Sequence, residues 1–299
     1  MKTSFPIFLA VFVALGASFG GFVVASIDQL GTAKQTTVLN STDTYPLQRT
    51  GNATLGLQVY RANGCAVCHT EQIRQEGVAC EISLTSLGKN EPKEFKKFIA
   101  SLLELPGLQI YTNTVAKQLG DWNGSVPKTI FPYLDKETAD EVVGNINSGG
   151  CKAEVHIIAT GADISRGWGI RQSVAEDFLW DYPVQLGNLR AGPDLANVGA
   201  RLGNLNWQLQ HLYAPQSEVK DSAMPPFHFL FEVRKTGNAP SPEALPLPKG
   251  IVPEGYEVIP SGDAKNLAAY LVSLHADVPL YDAPFTPTIS AAPAPAEKK

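Results

Sequence analysis

Cys65-Ala66-Val67-Cys68-His69 is the stretch on which the reading of this chain turns. Two thiols at that spacing, followed at once by an imidazole, are what covalent attachment of a c-type haem requires: each thiol adds across a haem vinyl group, and the histidine is set beneath the iron. A Cys-x-x-Cys pair also serves as a redox dithiol or as half of a zinc site. The chain holds four cysteines, however, and the other two, Cys80 and Cys151, stand alone, so a second zinc knuckle is missing. A thioredoxin-like dithiol opens a helix after a strand, whereas Leu55 to Ala62 reads as a short helix leading into the motif.

Upstream, Ser4 to Ile27 carries no charged residue. At ~1.5 Å per helical residue the run is long enough to cross a hydrocarbon core of ~30 Å. A cleaved signal peptide has a shorter apolar region, about 7 to 15 residues, so the length points to a retained anchor, while small residues near Ala17 and Ser18 leave cleavage open. Lys2 precedes the span and would stay in the cytoplasm, sending the rest of the chain across. Export agrees with the motif, because c-type haem is attached outside the cytoplasm. With 299 residues and a net charge of -5, the chain has ample apolar content for a core and no basic cluster, which argues against nucleic acid as a partner.

Downstream, an iron bound by His69 needs a sixth ligand if it is to carry electrons. Beyond the initiator, Met224 is the one methionine, and it sits in Asp221-Ser222-Ala223-Met224-Pro225-Pro226, where the prolines stiffen a loop. A thioether ligand favours ferrous iron and raises the potential. His211, His228, His156 and His275 are the rival ligands. Pro193, in Gly192-Pro193-Asp194-Leu195, offers a carbonyl that would accept from the His69 ring N–H and so fix its tautomer; the alternative is a plain turn with Asp194 as a cap. Asn204 to Leu212 fits a middle helix, and Asp263 to Leu274 a final one with an apolar period suited to packing on the first.

Motif, proline turn, helix, methionine loop and final helix follow one another as in class I cytochromes c. The chain resembles the membrane-anchored monohaem subunit of cbb3-type cytochrome c oxidases. The resemblance is carried by Gly64 to Arg74, by Asp181-Tyr182-Pro183-Val184-Gln185-Leu186-Gly187-Asn188-Leu189-Arg190-Ala191-Gly192-Pro193-Asp194-Leu195, and by His211-Leu212-Tyr213-Ala214-Pro215 leading to Met224-Pro225. It implies one covalent haem c held by Cys65 and Cys68, with His69 and Met224 as axial ligands, Pro193 as orienter and Arg201 as a propionate partner. It also implies a one-electron relay on the periplasmic face of a bacterial inner membrane. The donor would be another c-type cytochrome and the acceptor the haem-copper catalytic subunit, where oxygen is reduced; this chain itself would reduce none. A subunit of another complex such as nitric oxide reductase, or a free-standing anchored carrier, is the alternative.

Residues 80–158 separate the motif from the glycine-proline run, an interval too long for a structureless loop. Its pattern reads as strand, helix, helix, strand, helix, strand, with Gly149-Gly150 as a stop signal, and resembles the C-terminal domain of the bacterial ribosomal stalk protein. That likeness implies a fold without implying ribosome binding. Cys80 and Cys151 flank the insert and invite a disulfide in an oxidising compartment, unless the strands place them at opposite ends. The expected fold class is therefore mainly α: a class I cytochrome c fold with an N-terminal transmembrane helix and a small α+β (βααβαβ) insert domain. The expected boundaries are an anchor at 1–27, a polar linker at 28–54, a discontinuous cytochrome domain at 55–79 and 159–285, the insert at 80–158 and a disordered tail at 286–299. Thr236 to Pro260, rich in proline, reads as an extended surface loop.

Overall fold

The computed structural model describes residues 4–31, 34–49 and 51–280. Lys2 and the segment 286–299 lie outside the described residues. The chain divides into two compact units, one built from residues up to Ile73 and from Gln172 to Leu280, the other from Arg74 to Arg171.

The first unit begins with an apolar helix, Ser4–Phe19, continuing through a π-helical turn, Gly20–Val24, into Ala25–Gly31. Phe5–Asp28 within it is long and apolar enough to span a membrane, with a mean hydropathy of 2.4. The segment expected to be a loose linker is built into the unit instead. Thr36–Thr37 pairs antiparallel with Thr44–Tyr45, the buried Tyr45 hydroxyl donates to Asp177 Oδ1 (2.8 Å) and to the His275 carbonyl (3.0 Å), and Arg49 forms an ion pair with the buried Asp181. Its polar composition hides this, because those side chains are used as donors to partners distant in sequence.

Asn52–Ala62 packs against the final helix, Gly262–Val272, at a close crossing. A Cβ on Gly56 would lie 2.0 Å from the Asn266 carbonyl oxygen, so only glycine permits the approach. Tyr60 and Tyr270 meet there with ring centroids 5.2 Å apart. The middle helix, Leu205–Tyr213, is started by the Asn204 side chain accepting from the Asn206 and Trp207 backbone N–H groups, and it buries Leu209 and Leu212 in the same core. Ser261 caps the final helix in the same way through Ala264 N–H.

One expectation fails here. The end of the proline-rich loop is a strand: Tyr256–Pro260 pairs antiparallel with Phe231–Lys235, with Arg234 and Glu257 opposite each other and 2.9 Å apart. Alternation at Tyr256-Glu257-Val258 carries the pairing, and Pro260 tolerates it because it sits at the strand's end.

The second unit is a three-stranded antiparallel sheet with Gly77–Ser86 in the middle, flanked by Lys128–Leu134 and Lys152–Thr160. Helices Pro92–Leu102, Thr112–Leu119 and Lys136–Ser148 supply its core. Pro92 opens the first helix, Phe95, Ile99 and Leu102 form its buried stripe, and Phe95 meets Trp122 edge-on at 5.7 Å. Asp135 caps the third through Thr138 N–H, and Gly150, at φ +81°, turns the chain after it. The element order is βααβαβ; the first strand in sequence starts at Gly77 and the last ends at Thr160, so the sheet extends past 80 and 158.

Register also decides the cysteines. Cys80 lies opposite Ile157, whereas Cys151 directly precedes Lys152, which lies opposite Ser86. Six residues of strand, about 20 Å, separate the two along the ladder, far beyond the ~7 Å that a disulfide spans. Both are free: Cys80 is fully buried, and Cys151 Sγ accepts from Asn90 Nδ2 at 3.3 Å.

Candidate haem site

The motif forms a short 3-10 turn, Cys65–Val67, directly after helix Asn52–Ala62. Gly64, at φ +66°, makes the left-handed step that ends the helix. Cys68 and His69 N–H both bond back to the Cys65 carbonyl, which fixes the spacing of the two thiols and the imidazole.

The run from Leu186 to Leu195 is sewn onto this turn by its backbone. Asn188 N–H donates to Ala66 O, Gly192 N–H to Cys68 O and Leu195 N–H to Thr70 O, while Glu71 N–H donates back to Leu186 O. Two glycines allow the approach: a Cβ on Gly187 would lie 2.1 Å from His69 O, and one on Gly192 would lie 2.3 Å from His69 Cε1. As a result His69 Nδ1 sits 2.8 Å from the Pro193 carbonyl oxygen. A carbonyl can only accept, so Nδ1 carries the proton and Nε2 is left with its lone pair for a metal.

Behind the turn lies a polar scaffold that sequence reasoning missed. Asp194, fully buried, accepts from Thr70 Oγ1 (2.5 Å), Gln72 N–H (2.8 Å) and Ala196 N–H (2.9 Å), so it is a hub rather than a simple cap. Arg190 joins it, donating to Thr70 Oγ1 and to the Gln72 carbonyl. Glu71 is buried beside Tyr270, whose hydroxyl donates to the carboxylate at 2.9 Å. Burial pushes the Glu71 carboxyl up to about 8, with Asp181 adding to the rise and the Tyr270 hydrogen bond and Arg49 opposing it.

Met224 lies half-buried in the loop before the turn His228–Leu230, packed against the same hydrophobic core as Cys65 and Ala66. Of the rival histidines, three have contacts away from the motif, while His211 neighbours His69 and its Nδ1 is buried with no partner. His228 packs on Tyr213, His275 faces Asp277 at 3.5 Å, and His156 lies on the outer strand of the second unit. His211 is stacked flat on Trp207 at 4.9 Å, and burial, with the neighbouring His69, lowers its pKa. Arg201 Nη2 donates to the Asp194 carbonyl at 2.6 Å, but its Nε is buried with no partner.

These residues fit a c-type haem. Burial pushes the Cys65 thiol up to about 12, which is no obstacle to a thioether. Nε2 of His69 is the free nitrogen, Met224 offers a thioether at the same core, and Arg201 has a cationic donor unsatisfied within the protein, suited to a carboxylate.

The family model described as cytochrome C oxidase, mono-heme subunit/FixO matches residues 153–244. Over that stretch the chain is similar to a mono-haem subunit of cytochrome c oxidase. The match takes in Pro193, Arg201 and Met224 and stops short of Cys65 to His69. No curated protein matches the chain.

Proposed function

We propose that this chain is a membrane-anchored one-electron relay, the monohaem subunit of a cbb3-type terminal oxidase. It would take electrons from a c-type cytochrome and pass them to the haem-copper subunit, with its haem unit on the periplasmic side of a bacterial inner membrane. The observation that carries this reading is the 2.8 Å contact between His69 Nδ1 and the Pro193 carbonyl, which joins the CxxCH turn to the stretch matched by the oxidase family.

In this reading Cys65 and Cys68 would hold the group covalently, His69 and Met224 would ligate its iron, Pro193 would orient the His69 ring, and Arg201 would meet a carboxylate of the group. A haem held there supplies a one-electron iron couple. The chain's own work is to keep that couple in place. Pro193 fixes the His69 tautomer, and Gly187 and Gly192 hold the ring against the carbonyl. Thr70, Arg190 and Asp194 brace the extended segment through Gln72 that follows. A haem held by both His69 and Met224 would have no open position for oxygen and would supply electron transfer alone.

The inserted unit has the element order βααβαβ; its likeness to the ribosomal stalk domain rests on the sequence pattern alone and would carry a fold without a function. Its use in this reading is contact with another subunit or with the donor.

Gentle solubilisation of membranes tests the proposal. The chain is expected to be recovered together with a haem-copper subunit, with c-haem oxidation on adding oxygen. Recovery of a haem-loaded chain without such a subunit would refute the oxidase assignment.

A further inference from the structure

The first unit has an exposed apolar cluster, one member of which follows the apolar helix by a short length of chain. Leu47 is 74% exposed, Tyr182 93% and Trp180 41%. They are neighbours because the Pro46 carbonyl accepts from Trp180 Nε1 (3.0 Å) and from Gln35 Nε2 (2.9 Å), drawing residue 35, the Leu47 turn and the Trp180–Tyr182 stretch together. Lys34 is exposed beside Gln35.

Chain connectivity says what covers this cluster. The candidate span ends at Asp28 and its helix at Gly31. Three helical steps and three virtual bonds then limit Lys34 to about 15 Å beyond the span's last residue. Residues 34–49 are fastened to the unit through Tyr45 and Arg49, so a short length of chain ties the cluster to the end of the span. Tryptophan and tyrosine with an apolar partner are the side chains that settle at a bilayer surface, and a lysine at the same level draws anionic headgroups.

We infer that Leu47, Trp180 and Tyr182, with Lys34, form a membrane-contact patch that rests the haem unit on the phospholipid headgroup layer. The inference depends on the apolar helix being a retained anchor. It gives that anchor a consequence: the haem is held at one height and orientation above the bilayer, and does not roam on a tether. The polar segment after the anchor is then part of the positioning device.

The test uses the full-length, haem-loaded chain in vesicles of phosphatidylcholine and phosphatidylglycerol. These contain one photoreactive phospholipid that carries its diazirine in the headgroup and, in a parallel preparation, one that carries it in the acyl chain. Headgroup adducts are expected on the peptides holding Leu47 and Trp180–Tyr182, several-fold above other exposed segments, and acyl-chain adducts within Phe5–Asp28. Leu47→Glu with Tyr182→Ser, both at the surface, should lower the headgroup adducts several-fold and leave the acyl-chain adducts unchanged. Acyl-chain adducts on the helix without headgroup adducts on the cluster would overturn the patch and leave the anchor standing. Absence of both would overturn the anchor and the patch together. Adducts unchanged by the double substitution would also overturn the patch, as would protection of the cluster that appears only when the haem-copper subunit is added, which would make its occupant a protein.

Discussion

Gly192→Ala is the substitution that most directly perturbs the orientation of His69. The new methyl would stand 2.3 Å from Cε1 and 2.7 Å from Nδ1 of that ring, where ordinary contacts begin at about 3.4 Å. The ring or the Gly192 backbone must therefore move by about 1 Å, enough to break the 2.8 Å bond to the Pro193 carbonyl. Gly192 has no positive φ, so alanine brings no backbone strain of its own and the effect is local. The lost hydrogen bond is worth about 0.5–1.5 kcal/mol net. That bond makes the imidazole more basic and so favours ferric iron. Its loss is expected to raise the midpoint potential, by at most about 20–65 mV if the whole of that energy distinguishes the two oxidation states, at 59 mV per tenfold change for one electron. The assay is an equilibrium redox titration of the full chain, followed in the visible haem bands, with Pro193→Ala as control. The control keeps the carbonyl and should shift the potential much less. A potential in Gly192→Ala equal to that of the unsubstituted chain would refute the argument that this contact tunes the ligand.

Three other outcomes are expected. Gly56→Ala would drive a Cβ into Asn266 O at 2.0 Å and Tyr270 Cβ at 2.7 Å, costing at least about 1–3 kcal/mol of overpacking, read as a lower denaturation midpoint. The Glu71 carboxyl, raised to about 8 from 4.5, favours the folded state fully below about pH 4.5, and that contribution is lost as pH rises through 8. At about 1.4 kcal/mol per pH unit over that window the loss is at most about 5 kcal/mol, so melting between pH 5 and 9 should show a decline that Glu71→Gln flattens. Met224→Ala should lower the potential and admit carbon monoxide to the iron, measured by redox titration and by the spectrum under the gas; unchanged values would remove Met224 as a ligand.

The parts of the fold that could be read in the sequence are those with a local cause. The stripe Phe95, Ile99 and Leu102 marks its helix by period alone, and Asn204 and Asp135 announce helix starts by residue type. The contact between His69 and Pro193 was reachable because a proline carbonyl is free to accept from a ring N–H. Glu71 was not, since its partner Tyr270 is 199 residues away and nothing about Thr-Glu-Gln says which of the three goes inside. Arg49 and Asp181 are 132 positions apart, which is why a polar linker looked free. Asp194 looked like a cap because one of its bonds is local, while the two that matter to the motif come from Thr70 and Gln72. Tyr256–Pro260 was overlooked because proline-rich sequence before it masked a short alternating run.

The most direct test of the account is the pyridine haemochrome spectrum of the purified full-length chain after extraction with acidified acetone. The account predicts a c-type band, one haem per chain, that resists extraction and is lost in Cys65→Ser with Cys68→Ser. A chain that yields no covalent haem, or that keeps it after both thiols are replaced, would contradict the claim that Cys65 to His69 hold the redox centre.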